Sequence, residues 1–373
     1  MKKILVFNWK DIMHPQAGGA EVVTHELMKK MVLDGHNVTL LTAQYSGSTQ
    51  NDTIDKINII RTGKNKLIHY FAAAKYYKKH LKNKFDIVIE EVNTIPYLLG
   101  LYKGEEDFYL FYHMLAREIW FYEMIQPLST IGYMIEPIYT WLQGRFGVPL
   151  ITVSQSSKND IARFGYDRDK IHIIREGIDN KPLENVSDSL PKEKDFTVLF
   201  HSSLRKMKRP IEVFKAFGIF AKTCPSAKLW ISGGGDQTKL LKYAKDNNFD
   251  DKVVFYGRTS QEQKLELMQR ASVVCSTSIK EGWGLIVTEA NSMATPAISY
   301  DVDGLRDSTK LGGGVVCKPN CQSLADEMSK LYEVFINDSQ KYDEMRSQAL
   351  ESSKQVNFEQ SYLDLKKIIK SLD

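Results

Sequence analysis

The stretch Glu281-Gly282-Trp283-Gly284-Leu285-Ile286-Val287-Thr288-Glu289-Ala290-Asn291 sets two carboxylates eight residues apart across a glycine-containing turn. A β-branched run precedes it, Ala271–Ser278, and Thr295–Tyr300 follows; both read as strands, and the stretch between them is compatible with a helix. Strand, turn, helix and strand form the repeating unit of a parallel sheet covered by helices. In such a unit Glu281 lies on the loop and Glu289 within the helix, with the helix N-terminus between them. The unpaired N–H groups and partial positive charge of that terminus suit a phosphate. Ionised carboxylates beside it can accept hydrogen bonds from neighbouring hydroxyls, as on a sugar or a ribose. Two glutamates at a fixed spacing are by themselves ordinary surface charge; what singles out this pair is Gly282 and Gly284, which permit close backbone approach, and the flanking strands.

Outward from this unit the same alternation recurs through the chain, in two series. The first has strands near Lys3–Asn8, Asn37–Thr42, Ile57–Arg61, Asp86–Glu91, Phe108–His113 and Leu150–Ser154. The second has Thr197–His201, Lys228–Ser232, Lys252–Tyr256, Ser272–Ser276, Pro296–Tyr300 and Gly314–Cys317. Between them the pattern breaks over 180–194, which carries two prolines and little apolar content. The fold class is therefore α/β, with two doubly wound Rossmann-like domains facing across a cleft. The expected division is an amino-terminal domain over 1–180, a linker over 181–195 and a carboxyl-terminal domain over 196–355. A final helix, 356–373, can pack back on the first domain. Ligands of such sheets bind at the carboxyl ends of the strands.

The length of 373 residues suits two domains. Basic residues exceed acidic ones by 50 − 46 = 4, too small an excess to mark the chain as a nucleic-acid binder. The excess is uneven: from Arg61 to Lys84 there are eight lysines and arginines and no acidic residue. The first apolar run is interrupted by Asn8 and Lys10, too short for a secretory signal, and no run reaches the ~18 apolar residues of a membrane span. A cytoplasmic location is expected. The four cysteines make no disulfide framework, and Cys317 and Cys321 have no second ligand pair for zinc. No metal site is expected.

Further constellations fall at strand ends. Gly18 and Gly19 open an amphipathic helix after the first strand, as a phosphate- or sugar-admitting start or as a plain tight turn. His113 ends a strand. After Phe200-His201 comes a cationic loop with Arg205, Lys206, Lys208 and Arg209, suited to a diphosphate or simply solvated. Gly233-Gly-Gly235 follows a strand and nearly imitates a dinucleotide fingerprint, but Thr238 stands where the third glycine belongs. Asp301-Val-Asp303 could hold a metal at a sugar phosphate; followed by Gly304, it reads better as a turn with a capping aspartate.

These pieces together resemble the retaining glycosyltransferases of family 4, which have the two-domain GT-B fold. The resemblance rests on Gly18-Gly19-Ala-Glu21, His113, Ile151–Asp160, Glu176-Gly-Ile-Asp179, Lys208-Arg-Pro210, Tyr256-Gly257-Arg258 and the glutamate pair, in this order and spacing. It implies that Glu281 binds hydroxyls of the donor sugar and Glu289 the ribose. Lys208 would neutralise the diphosphate leaving group, helped by N–H groups around Gly284 and Leu285. His113 would touch the donor sugar or the reacting centre, and Gly18 and Gly19 would give backbone contacts. Tyr256, Gly257 and Arg258 would border the nucleobase, with Gly233, Gly282 and Trp283 in the same donor-binding loops. One departure stands out: Ser203 occupies the position where the family has an arginine, and Arg205 is the nearby substitute. The donor implied is a nucleoside diphosphate sugar, with no cofactor, no metal and no covalent protein nucleophile.

Rival readings are a nucleotide-sugar epimerase of related architecture, a dehydrogenase and a two-lobed sugar-binding protein. Leu67–Lys84 can form a helix with Leu67, Phe71, Ala74 and Leu81 on one side and Lys75, Lys78, Lys79 and Lys82 beside them, followed by an aromatic-rich segment from Ile119 to Trp141. Each basic residue at an anionic membrane contributes about 1 kcal/mol. The segment could equally be a solvated helix packed on its own domain. The membrane reading predicts peripheral contact at the inner face of the cell membrane, and a glycan, lipid-linked or glycolipid acceptor.

Overall fold

The computed structural model describes residues 1–64 and 66–372 and divides into two units, each built on one sheet. The strands of the first are β1 (Lys3–Phe7), β2 (Asn37–Ala43), β3 (Asn51–Ile54), β4 (Ile57–Thr62), β5 (Ile87–Val92), β6 (Asp107–Tyr112), β7 (Leu150–Thr152) and β8 (Ile171–Ile173). Their order is β3-β4-β2-β1-β5-β6-β7-β8, all parallel except β3, which pairs antiparallel with β4. Ile4–Phe7 of β1 and Ile87–Ile89 of β5 are buried apolar runs, as parallel strands covered by helices must be, and β5 continues into two buried glutamates, Glu90 and Glu91. The chain leaves β1 for β2 on one side and later adds β5 on the other, so the switch point lies at the carboxyl end of β1.

The helices in chain order begin with α1 (Gly19–Leu33) and α2 (Lys66–Tyr76), which runs on into one π-helical turn, Tyr77–Leu81. Then come α3 (Ile119–Glu123), α4 (Leu128–Gly144) and α5 (Gln155–Arg163). Of these α3 does not belong to the first unit: Glu118–Gln126 clusters with the second, where α3 packs on the short turn Lys206–Lys208. The continuous first domain read from the sequence is corrected there. Ile119 and Trp120 of this short helix are buried.

The second unit holds β9 (Thr197–His201), β10 (Lys228–Ser232), β11 (Val253–Gly257), β12 (Val273–Ser276), β13 (Ala297–Tyr300) and β14 (Val315–Cys317) in the order β11-β10-β9-β12-β13-β14, all parallel. Its helices are α6 (Pro210–Phe220), α7 (Thr238–Asp246), α8 (Gln261–Arg270), α9 (Leu285–Ser292), α10 (Leu305–Leu311), α11 (Cys321–Asn337) and α12 (Ser339–Lys354). Alternation along β9 sends Val198 and Phe200 into a phenylalanine-rich core with Phe214, Phe217, Phe220 and Phe249. Leu199 goes to the opposite core with Trp230, Met268 and Val274.

The stretch 181–195 is no free linker. Leu183 N–H bonds the Ser292 carbonyl, Lys192 Nζ bonds Ala271 O and Thr295 Oγ1, and Glu193 pairs with Arg270, so the segment is strapped along the second unit. Read on the sequence as a linker, it is held by fixed partners instead. The last helix, α13 (Phe358–Ile368), clusters with the first unit, where Lys30 pairs with Glu359, and Asp34 accepts from Tyr362 and Lys366.

Candidate active site

In the second unit β9 and β12 are neighbours although the chain reaches them far apart, so the loops that leave their carboxyl ends are brought together. The first carries Arg205 to Arg209. The second carries Thr277 to Gly284. Thr277 Oγ1 donates to the Lys208 and Arg209 carbonyls at 3.0 and 3.1 Å, and Ile279 N–H bonds the Met207 carbonyl at 2.8 Å. These bonds carry Lys208 to Glu281, and their side chains form an ion pair that Ser278 Oγ joins at 2.6 Å from the same carboxylate oxygen.

Glu281 is held from beneath as well. Its N–H bonds the Asp303 carbonyl at 3.0 Å, and Gly304 sits so close that a Cβ there would stand 2.3 Å from the Glu281 carbonyl oxygen. Gly284 caps α9 in the left-handed region, φ 89°, and a Cβ on it would meet Leu305 at 2.7 Å. Leu285 is the first residue of α9. The Trp283 indole is buried and donates to Thr288 Oγ1 at 2.9 Å, so this ring locks the turn to the helix.

One turn into α9, Glu289 pairs with Lys264 of α8 at 2.7 Å. Burial raises the Glu289 carboxyl above its ordinary range, with Lys264 pulling the other way. Beside them His201, at the end of β9, bonds Ser232 Oγ through Nδ1 at 2.9 Å; burial and then Lys264 lower its pKa to about 4, so it is neutral at pH 7. Lys264 and His201 did not stand out in the sequence: one is a lysine on a highly charged helix, the other an unpatterned histidine.

The remaining predicted donor residues take varied positions. Arg205 is mostly exposed; its Nε donates to Ser203 Oγ at 3.2 Å, and its guanidinium lies 3.9 Å from Glu123 of α3. Gly233 and Gly235 are required by loop packing: a Cβ would fall 2.0 Å from the Ser202 carbonyl at the first and 2.6 Å from Leu204 Cβ at the second. Arg258 lies against Gly234, where a Cβ would meet its Nε at 2.7 Å, and Gly257 has φ 65°. The Tyr256 ring packs edge-on to Trp230. Asp301 and Asp303 are both paired with Arg306, and Asp303 also with Lys280 at 3.2 Å. Among the described residues no cluster of three or more potential metal ligands forms.

The first unit has its own polar centre at the ends of β1, β5 and β6. His113 is buried, stacked on Phe111, and both its ring nitrogens meet carboxylates: Nε2 to Glu91 at 2.7 Å and Nδ1 to Glu176 at 2.5 Å. Burial opposes the charge on the ring, but the two carboxylates outweigh it and raise its pKa to about 10. Glu91 also accepts from Thr24 Oγ1 and Asn8 Nδ2. Asn8 accepts from Asn93, which also reaches Glu21, and Glu21 takes the Gly18 N–H at 2.6 Å and pairs with Lys10. One network thus runs from the start of α1, where Gly19 is the first residue, to His113 and Glu176. Glu91 was missed in the sequence because Glu90-Glu91 at a strand end resembles a solvated edge, whereas both are buried.

Comparison with known proteins agrees with this geometry. The family model Glycosyltransferase Family 4 matches residues 17–181, and Glycosyl transferases group 1 matches 183–352. Poly(glycerol-phosphate) alpha-glucosyltransferase of Bacillus subtilis is 35% identical over 156 residues, which cover 41% of this chain and only 23% of that protein. N-acetyl-alpha-D-glucosaminyl L-malate synthase of Bacillus anthracis is 24% identical over 356 residues, 91% of this chain and 90% of that one. The structure of Anabaena HepE in complex with UDP-glucose shares the fold with a TM-score of 0.72 at 17% identity, over the whole of both chains. With two family models lying end to end along it and two Rossmann-like sheets, the chain belongs to the glycosyltransferases of family 4.

Proposed function

We propose that this glycosyltransferase moves a sugar from a nucleoside diphosphate sugar, with retention of configuration, to a hydroxyl of a glycan, lipid-linked or glycolipid acceptor. The observation that carries the reading is the Lys208–Glu281 pair at the open N-terminus of α9, with Glu289 one turn deeper. A diphosphate entering there meets an ammonium and a helix terminus, which stabilise the charge that grows as the nucleoside diphosphate departs. Glu281, released from Lys208 as the phosphates take over that cation, accepts hydrogen bonds from sugar hydroxyls. Glu289 accepts from the ribose. Arg205, mostly exposed, exchanges its contacts with Ser203 and Glu123 for the phosphates, in place of the absent arginine. His113, protonated and committed at both nitrogens, serves as a fixed positive charge and not as a proton carrier.

No metal enters this scheme, since the aspartates that could hold one are engaged by Arg306 and Lys280. One structure sharing the fold is a UDP-glucose complex, so uridine sugars are the first donors to try.

The acceptor reading rests on two surfaces of the first unit. On α2 and the turn after it, Phe71, Lys75, Lys78, Lys79 and Lys82 are exposed, while Leu81 is buried; the side chain of Leu67, read as part of the stripe, lies outside the described residues. On α4 the polarity is inverted: Leu128, Ile131, Met134, Ile135, Ile138 and Trp141 face outward, while its one charged side chain, Glu136, is buried and accepts from the Ala116 and Arg117 N–H groups at 2.6 Å. Among the described residues no helix is long and apolar enough to cross a membrane. Such faces suit reversible attachment to an anionic bilayer, at the cytoplasmic side of the cell membrane, where a lipid-carried acceptor is found.

A panel of nucleoside diphosphate sugars screened by thermal shift tests the donor. A true donor raises the melting temperature with its occupancy, and transfer then persists in a chelator. No stabilisation by any uridine, guanosine, adenosine or thymidine diphosphate sugar would sink the reading. Conversion of the donor to its epimer without acceptor would put an epimerase in its place.

A further inference from the structure

In the first unit, the face of α2 nearest the sheet edge and the ends of β2 and β4 enclose a pocket of about 420 Å³ that shares no residue with the network around His113. The strand side contributes Arg61, Gln44 and Gln50, and the helix side Lys75, Lys79 and His80. Lys79 and His80 follow Lys75 by four and five residues, and the π-turn over Tyr77–Leu81, with its wider repeat, lets both share the face of Lys75.

Arg61 is the distinctive member. It is 1% exposed, yet it is a guanidinium. Its Nε bonds Asp11 at 2.7 Å, and its Nη1 bonds Asp52 at 3.0 Å and the Thr49 carbonyl at 3.2 Å. Its Nη2 has no partner among the described residues. A buried N–H donor without an acceptor is uncommon in a native interior and marks a place where something is to be accepted. Asp11 and Asp52 together more than offset the charge of Arg61, so the positive charge of the pocket comes from Lys75 and Lys79, which line it together with Arg61.

We propose that this pocket is a binding site for a phosphate group, either free or carried by a lipid headgroup. A tetrahedral phosphate presents acceptors in several directions at once, which matches donors arriving from a strand on one side and a helix on the other. A carboxylate, planar and with two oxygens, would satisfy fewer of them. The volume exceeds that of one phosphate and leaves room for the carrier. None of the residues belongs to the proposed nucleotide site in the second unit, so this inference stands or falls separately from the donor reading.

The test uses the full chain with histidine rings isotopically labelled and the His80 resonances assigned through His80→Gln. Inorganic phosphate should shift the His80 ring signals saturably, and a Lys75→Gln/Lys79→Gln double variant, checked for an unchanged melting temperature, should need roughly tenfold more phosphate. In a second arm the chain is sedimented with phosphatidylcholine vesicles containing phosphatidic acid or, at equal surface charge, phosphatidylserine. Preference for phosphatidic acid that disappears in the double variant identifies a lipid headgroup. A His80 response to free phosphate without that preference identifies a soluble ligand. Absence of both, or a phosphate response identical in the wild type and the double variant, overturns the proposal.

Discussion

At the scale of single residues, the two glutamates should fail differently. Glu281→Ala removes the acceptor of the sugar hydroxyls and frees Lys208 from its partner, so transfer should fall by about 10²–10³-fold while nucleoside diphosphate binding holds. Glu289→Ala should instead weaken the nucleotide by about tenfold or more, the worth of a hydrogen bond to a charged group being roughly 1.5–3 kcal/mol. Calorimetric titration with the nucleoside diphosphate separates the two; equal loss in both variants refutes the division of roles. His113 offers a pH experiment. Its folded-state pKa is raised from 6.5 to about 10, so the stability it contributes is fully present below about pH 6.5 and is lost as the pH rises through about 10. Urea unfolding between pH 6 and 10 should therefore show a decline that His113→Gln lacks. That variant should also be less stable by roughly 3–5 kcal/mol at neutral pH, because Glu91 and Glu176 lose their counter-charge. A parallel pH profile in both proteins would contradict the buried imidazolium.

At the scale of elements, α4 separates a membrane face from an internal one. Replacing Ile131, Ile135 and Ile138 by glutamine leaves the Glu136 anchor untouched and should abolish sedimentation with anionic vesicles at low salt. Replacing Lys75, Lys78, Lys79 and Lys82 by glutamine should do so through charge, at about 1 kcal/mol per residue. No binding by the wild type would remove the support for a bilayer-borne acceptor. Elements also show what a sequence discloses. The twelve strands read from β-branched runs correspond to twelve of the fourteen among the described residues; those missed are β3, a polar edge strand, and β8, three residues interrupted by His172. The turn at Glu281 was legible because glycine, glutamate and helix start stand together in sequence. Lys264, Glu91 and His201 were not, because their meaning comes from strand order, which sets residues far apart in sequence side by side. The strap over 181–195 was misread for the same reason: its partners Arg270, Ser292 and Thr295 lie about a hundred residues downstream.

At the scale of the whole molecule, the chain passes between its two units at 117–118, 126–127, 177–178 and 357–358. Neither unit is a single uninterrupted stretch. A fragment cut after Gly177 lacks α13 and the short turn beyond it, and with them the buried Leu365, Ile369 and Leu372, each worth roughly 1.5–3 kcal/mol of burial. Against a total stability of about 5–15 kcal/mol, that fragment should be unfolded or insoluble. Joining Phe358–Asp373 to Gly177 through a flexible linker should restore a cooperative melt by circular dichroism, and a fragment that melts cooperatively without it would refute the dependence. The same interleaving sets an order of events on the ribosome. The stretch that completes the second unit is made before α13 exists, so the unit encoded later is finished first, and the opening sheet waits for its last helix. At about 5–20 residues per second the interval from Gly177 to Phe358 is roughly 10–40 s, during which the face of α1 that α13 will cover stays open to chaperones and to other nascent chains.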